Sequence, residues 1–329
     1  MAHDAPSINT IRALRDSLGD DIYCTPVVRC AAIEDRLGGD TQVYAKMEFL
    51  QRTGTFKARG ALAVIKSLTA AQLEAGVTAV SAGNHAIATA YAAAVAQTSA
   101  KVVMISSANP MRIEACRSYG AEIVMVDDVH SAFGVAEQIE KEEGRFFVHP
   151  FDGPVIATGT GTVGLEICEQ CDDIDTVIIP VGGGGLIGGM ANAIRQLRSG
   201  IEIIGVEPVG ADSMHRSFAA GEARSIDKVR TIADSLGAPF ASPYSYALCR
   251  QNVDKLVMVD DDQLRASMGF LFRSLKIAVE PACAASTAAL LGPLRDELTG
   301  RKIVLTLCGS NIDWETFAEQ ATFETDDVS

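Results

Sequence analysis

From about Val43 onward the chain alternates short apolar runs with alanine-rich amphipathic ones, and this rhythm restricts it to one class of fold. The strand-like runs are Val43 to Met47, Val77 to Val80, Lys101 to Ile105, Glu122 to Val126, Phe146 to Val148, Thr176 to Val181, Ile201 to Val206 and Lys302 to Leu307, with helical stretches such as Ala86 to Val95 between them. Strands that follow one another through a helix pair in parallel, and a parallel sheet is covered by helices on both faces. The expectation is an α/β chain of doubly wound parallel sheets. At 329 residues it has the length of two domains. The segment His149-Pro150-Phe151-Asp152-Gly153-Pro154 interrupts the pattern near mid-chain and marks a boundary, because its prolines and glycine fit neither element.

Composition excludes several classes of function. The formal charge is −14 with no obvious cluster of Lys and Arg, which argues against nucleic-acid binding. No apolar run reaches membrane length. The start, Met-Ala-His-Asp-Ala-Pro, lacks the basic and apolar parts of a secretory signal, so a cytoplasmic protein is expected. Eight cysteines (Cys24, Cys30, Cys116, Cys168, Cys171, Cys249, Cys283, Cys308) are scattered, as buried thiols rather than a disulfide framework. Cys168 and Cys171 form a Cys-x-x-Cys pair without a second pair at zinc spacing. Glu315, Glu319, Glu324, Asp326 and Asp327 read as a solvated helix and terminus.

In open α/β sheets ligands bind at the carboxyl ends of strands, so the turns there carry the chemistry. Four are unusual. Gln51-Arg52-Thr53-Gly54-Thr55-Phe56-Lys57-Ala58-Arg59-Gly60 places Lys57 between a glycine turn and a helix start, where positive dipole and burial lower an amine's pKa and make it a usable nucleophile. Such amines form Schiff bases with aldehydes, although a lone lysine is by default a solvated one. Ser81-Ala82-Gly83-Asn84-His85 offers hydroxyl, amide and N–H donors that suit a small carboxylate, or a plain helix cap. Val181-Gly182-Gly183-Gly184-Gly185-Leu186 lets N–H groups turn around an anion at a helix start, which describes a phosphate cradle, or close helix packing. Cys308-Gly309-Ser310-Asn311 follows the last strand and offers either a thiol that faces the same cleft or, as is commoner for a lone cysteine, a buried inert one.

The glycine loop also satisfies Gly-x-Gly-x-x-Gly through Gly183, Gly185 and Gly188, with Glu207 ending the next strand as a dinucleotide fingerprint requires. A nicotinamide enzyme is thus a rival reading. It leaves Lys57 and Asn84 unexplained, and it does not require four glycines in succession.

Taken in order, Thr-Gly-Thr-Phe-Lys57-Ala-Arg-Gly, Ser-Ala-Gly-Asn84-His, His-Pro-Phe-Asp152, Gly182-Gly-Gly-Gly-Leu, Gly-Val-Glu207-Pro and Cys308-Gly-Ser-Asn resemble the serine/threonine dehydratase and serine racemase family. Its members use pyridoxal 5′-phosphate on the tryptophan-synthase β-type fold, known as fold type II. The resemblance implies that residues 1–50 and 151–329 form a large cofactor domain, and residues 51–150 a small substrate-side domain. It implies that Lys57 carries the Schiff base and then moves the Cα proton, with Phe56 against the ring. Asn84 would bind the phenolic oxygen, and Gly182, Gly183, Gly184, Gly185 and Leu186 the phosphate. Cys308 would face the pyridine nitrogen. Ser81, Ala82, Gly83, Asn84 and His85 would bind the carboxylate of a small amino-acid substrate. The implied reaction is β-elimination of water from a 3-hydroxy amino acid, in a homodimer or higher homo-oligomer.

Departures qualify the carry-over. Ala82 stands where family racemases place an opposite-face serine, so efficient racemisation is not expected. The family's divalent-cation site resembles Glu207, the Ala211 carbonyl and an acidic residue where this chain has Ser213, which leaves a magnesium or similar site with one carboxylate. Asp212 is adjacent but is expected to point elsewhere. Ser235 stands where relatives often have glycine, and Glu280 is read as a helix cap. After Asp313 only a short acidic segment follows, so feedback control through an appended regulatory domain is not expected. Rival reactions are β-replacement of the cysteine-synthase kind, against which His85 speaks, and dehydration of 3-hydroxyaspartate, for which Arg52, His149 and Arg216 could supply charge. A catalytically inactive binding or scaffold protein would not need Lys57, Asn84 and the glycine loop together.

Overall fold

The computed structural model describes residues 4–322, apart from the side chains at positions 129 and 130; Glu324, Asp326 and Asp327 lie outside the described residues, as do the first three of the chain. Ten strands occur among the described residues: β1 (Val27–Arg29), β2 (Gln42–Lys46), β3 (Val77–Val80), β4 (Ala100–Ile105), β5 (Glu122–Val126), β6 (Phe146–Phe147), β7 (Thr176–Pro180), β8 (Glu202–Pro208), β9 (Lys255–Val259) and β10 (Lys302–Thr306). They form a six-stranded sheet in the order β1-β2-β10-β7-β8-β9 and a four-stranded sheet in the order β5-β4-β3-β6. The fold is α/β with parallel sheets. One pairing is antiparallel, β1 on β2, at the edge of the larger sheet. The eight expected strands all form, with ends moved by up to two residues, whereas β1 and β9 were not anticipated.

The helix Pro154–Gln170 lies between the helices Lys57–Ser67 and Gly185–Leu197 and sets how close they come. Glycine allows the approach. A Cβ at Gly159 would stand 2.6 Å from the Arg59 carbonyl oxygen, and one at Gly164 would stand 2.5 Å from that of Met190. The Lys57 turn and the glycine loop are therefore packed against one common helix.

A second clamp on the Lys57 turn is ionic and wholly buried. The Arg59 guanidinium donates to Glu48 (2.8 and 2.9 Å) and to Glu166 (2.6 and 2.8 Å), and Lys46 Nζ reaches Glu166 at 2.5 Å. Two cations meet two carboxylates, and Thr162 and the carbonyls of Tyr23 and Thr25 take remaining donors. Burying four charges is favourable only when each is paired and hydrogen-bonded in this way. Lys46, Glu48 and Arg59 also bind the end of β2 to the helix that begins at Lys57.

Of the eight cysteines, all free, seven are buried and Cys24 is exposed. Glu315 and Glu319 lie exposed on the helix Trp314–Gln320.

Candidate active site

Lys57 is the first residue of its helix. Thr53 (φ 69°) and Gly54 (φ 71°) bend the chain just before it through the left-handed region, an uncommon place for a β-branched residue. Thr55 then bridges to Gly309, its hydroxyl donates to the Cys308 carbonyl at 3.1 Å, and Phe56 N donates to the same oxygen at 3.2 Å. The Lys57 turn is thus stitched to the loop after β10. The Lys57 amine lies 5.3 Å from the Phe56 ring centre and donates to the Pro150 carbonyl at 2.7 Å. Burial lowers its pKa to about 8, against the opposing pull of Cys308 and Glu280.

The glycine loop follows β7. The N–H groups of Gly182, Gly183, Gly184 and Gly185 find no acceptor among the described residues, and Gly184 has φ +89°. Two of these glycines leave no room for a side chain: a Cβ at Gly183 would meet the Phe151 ring at 2.4 Å, and one at Gly185 the Phe151 carbonyl at 2.4 Å. Four consecutive free donors at the start of a 13-residue helix suit one terminal phosphate. Leu186 is buried behind them. The residues present therefore fit pyridoxal 5′-phosphate, with an amine for its aldehyde and donors for its phosphate.

Asn84 opens the helix Asn84–Val95, whose cap position belongs to Gly83, so the plain cap reading of Asn84 does not hold. Its Nδ2 donates to Glu280 Oε1 at 2.7 Å and to Ser235 Oγ at 3.2 Å, and its Oδ1 accepts from Asn311 Nδ2 at 2.7 Å. Glu280 does occupy the cap position of the helix Pro281–Leu291, but its side chain makes no capping bond there; the carboxylate turns to Asn84 instead. Burial raises its pKa to about 7, opposed by Arg112.

In the neighbouring loop, Ser81 Oγ accepts from Gly83 N at 3.1 Å, and the N–H groups of Ala82, Asn84 and His85 find no acceptor among the described residues. His85 is buried, with Nε2 on the Val148 carbonyl at 2.8 Å, and burial lowers its pKa to about 3. It is a neutral imidazole that shapes the site, so anion binding in this loop falls to the N–H groups. Cys308 is buried; a hydrogen bond with Cys283 and burial raise its pKa well above the ordinary thiol value and keep it neutral.

The cation site does not fit. Glu207 Oε1 accepts from Met214 N at 2.8 Å, while Oε2 accepts from His215 N and faces His215 Nδ1, both at 2.7 Å. Ala211 and Ser213 are buried beside it, and the Ser213 hydroxyl, which has no partner, adds no charge. Asp212 turns away to Arg216 at 2.9 Å. A hard cation would have to displace three donors from the one carboxylate available. The same bonds remove Glu207 as the ribose ligand of a dinucleotide.

Nor do the three candidate cations for a second substrate carboxylate converge. Arg52 stacks 4.1 Å over Tyr23, Arg216 pairs with Asp212, and only His149 lines the cavity beside Lys57. The buried cation at the site is Arg112, on the helix Pro110–Ser118, which the sequence reading missed. It ion-pairs with Asp234, donates to the Asn311 carbonyl at 3.1 Å and comes within 3.8 Å of Glu280 Oε2. An arginine in the first turn of a helix looks like a solvated one, and nothing local announces its partners.

Residues 18–309 match the family described as "Pyridoxal-phosphate dependent enzyme". Phenylserine dehydratase of Ralstonia pickettii is 50% identical over 313 residues, 95% of each chain. The L-threonine dehydratase catabolic TdcB of Escherichia coli (strain K12) is 37% identical over 316 residues, again 95% of each. The solved structure of maize serine racemase superimposes with a TM-score of 0.91 at 34% identity, covering 96% of this chain and 97% of that one.

Proposed function

Because the chain belongs to the pyridoxal-phosphate dependent enzyme family, we propose that it removes water from a 3-hydroxy amino acid and releases a 2-oxo acid and ammonia. The cofactor, when bound, supplies the electron sink that makes the substrate Cα–H bond acidic. Everything else falls to the chain. Gly182, Gly183, Gly184 and Gly185 hold the phosphate, Phe56 flanks the ring and Asn84 is the donor for its phenolic oxygen. The Lys57 amine, with its pKa brought down to about 8, is neutral often enough near neutral pH to take the Cα proton. Cys308, held neutral, is the partner for the pyridine nitrogen and does not enforce its protonation. A restrained sink favours prompt loss of the β-substituent. The free N–H groups of Ala82, Asn84 and His85 bind the substrate carboxylate. Ala82 stands where family racemases carry an opposite-face serine, so we expect elimination to dominate over racemisation.

The observation that carries this reading is the convergence of one amine of lowered pKa with two sets of free N–H donors, at strand ends of both sheets. The balance is simple: the substrate loses hydroxide from Cβ and a proton from Cα, and one water then releases ammonia from the imine tautomer. 3-Phenylserine leads the substrate panel, because the relative that acts on it is 50% identical while the threonine enzyme is 37% identical. In a keto-acid assay of 3-phenylserine, L-threonine, L-serine and 3-hydroxyaspartate we expect 2-oxo acid and stoichiometric ammonia, fastest from phenylserine. Turnover of O-acetylserine with sulfide and of no hydroxy amino acid would overturn the assignment. A cytoplasmic homo-oligomer completes the proposal; no helix among the described residues is long and apolar enough to cross a membrane.

A further inference from the structure

We propose that Glu280 is a positioning residue that dictates which way the Asn84 amide faces, with Arg112 holding the arrangement together from the smaller-sheet side. This rests on the reading of Asn84 as the donor to the cofactor's phenolic oxygen. The two ends of an amide have the same shape and opposite hydrogen-bonding sense, so only its partners decide which end faces a ligand. Here a chain of bonds fixes the choice from both ends. The Thr53 carbonyl accepts from Asn311 Nδ2 at 2.8 Å, and the same nitrogen donates to Asn84 Oδ1 at 2.7 Å. At the other end Glu280 Oε1 accepts from Asn84 Nδ2 at 2.7 Å. Reversing Asn84 would set oxygen against carboxylate and NH2 against NH2, losing two bonds and creating two repulsive contacts. The second hydrogen of Asn84 Nδ2 goes to Ser235 Oγ at 3.2 Å, the longest bond of the set and the one that yields to a ligand oxygen.

Glu280 is not engaged by its own helix. It is 1% exposed, makes no capping bond, and its Oε2 has no hydrogen-bond partner. Gly309 makes room for it, since a Cβ there would stand 2.9 Å from Oε1. The charged and titratable groups around it are Arg112, Asp234, Lys57 and Cys308. Among them Arg112 reaches three neighbours of the Asn84 amide: it donates to the Asn311 carbonyl at 3.1 Å, pairs with Asp234 next to Ser235, and comes within 3.8 Å of Glu280 Oε2.

The test is spectroscopic, on the cofactor-loaded enzyme without substrate. An amide donor at the phenolic oxygen favours the long-wavelength form of the bound cofactor over the short-wavelength form. Glu280→Gln keeps an acceptor at Oε1 and should retain the wild-type band ratio. Glu280→Leu removes it and should shift the ratio toward the short-wavelength form and speed cofactor release about tenfold, the weight of one lost hydrogen bond. Asn311→Asp, nearly isosteric, replaces the donor that fixes Oδ1 and should shift the ratio in the same direction, which keeps the test open should Glu280→Leu not fold. Wild-type bands and release in Glu280→Leu and Asn311→Asp would overturn the proposal, as would a Gln variant as damaged as the Leu one. Failure of the underlying family reading is distinct, for then the wild-type protein shows no cofactor band.

Discussion

Lys57 owes its reactivity to where its amine sits, and that has a measurable consequence before any cofactor is added. In the unfolded chain the amine titrates near 10.5, and in the folded one at about 8. Between those values the unfolded state holds a proton that the folded state has released, so stability rises with pH across that interval and the full penalty applies below it. Lys57→Met should therefore stabilise the cofactor-free protein at pH 7 by about 2 kcal/mol after allowance for partial exposure to the cavity, an advantage that shrinks as pH passes from 8 to 10. Urea unfolding at several pH values measures this; a variant less stable than wild type at pH 7 would contradict it. Lys57, Asn84 and the glycines were legible in the sequence because each stands in a short motif with its own chemistry. Glu280 was not, since a glutamate before a proline at a helix start has the local signature of a cap, and its partner Asn84 lies far away in the chain.

At the level of elements, the turn that carries Lys57 is held by charges that looked ordinary in sequence. Lys46, Glu48, Arg59 and Glu166 would each be taken for a solvated residue, because nothing within a few positions shows that they meet in the core. Arg59→Met would leave Glu48 with the Thr25 hydroxyl and no ion-pair partner within reach among the described residues, and Glu166 with Lys46 as its one cation. We expect it to cost about 3–5 kcal/mol in denaturant unfolding, the range for breaking a buried ion pair from one side. A loss below about 1 kcal/mol would show that the network does not clamp the turn. The two unanticipated strands have similar causes. Strand β1 is three residues long, too short for a period, and β9 is an edge strand whose side chains are mostly part-exposed, so its apolar signal is diluted.

For the whole molecule, the class of fold followed from the alternation of strands and helices, which any parallel α/β chain must show. The order of strands did not, because β10 comes from the far end of the chain and inserts between β2 and β7. That insertion builds the site: it brings the Cys308 loop against the Lys57 turn and places Asn311 beside Asn84. Arg112 and Asp234 then join the smaller-sheet side to the turn that carries Ser235, which itself reaches Asn84. The experiment that bears hardest on this picture is borohydride reduction of the purified protein loaded with pyridoxal 5′-phosphate, followed by peptide mass mapping. We expect a yellow protein that bleaches on reduction and carries the pyridoxyl group on Lys57 alone. A colourless protein that takes up no cofactor, or a modification at another lysine, would contradict it.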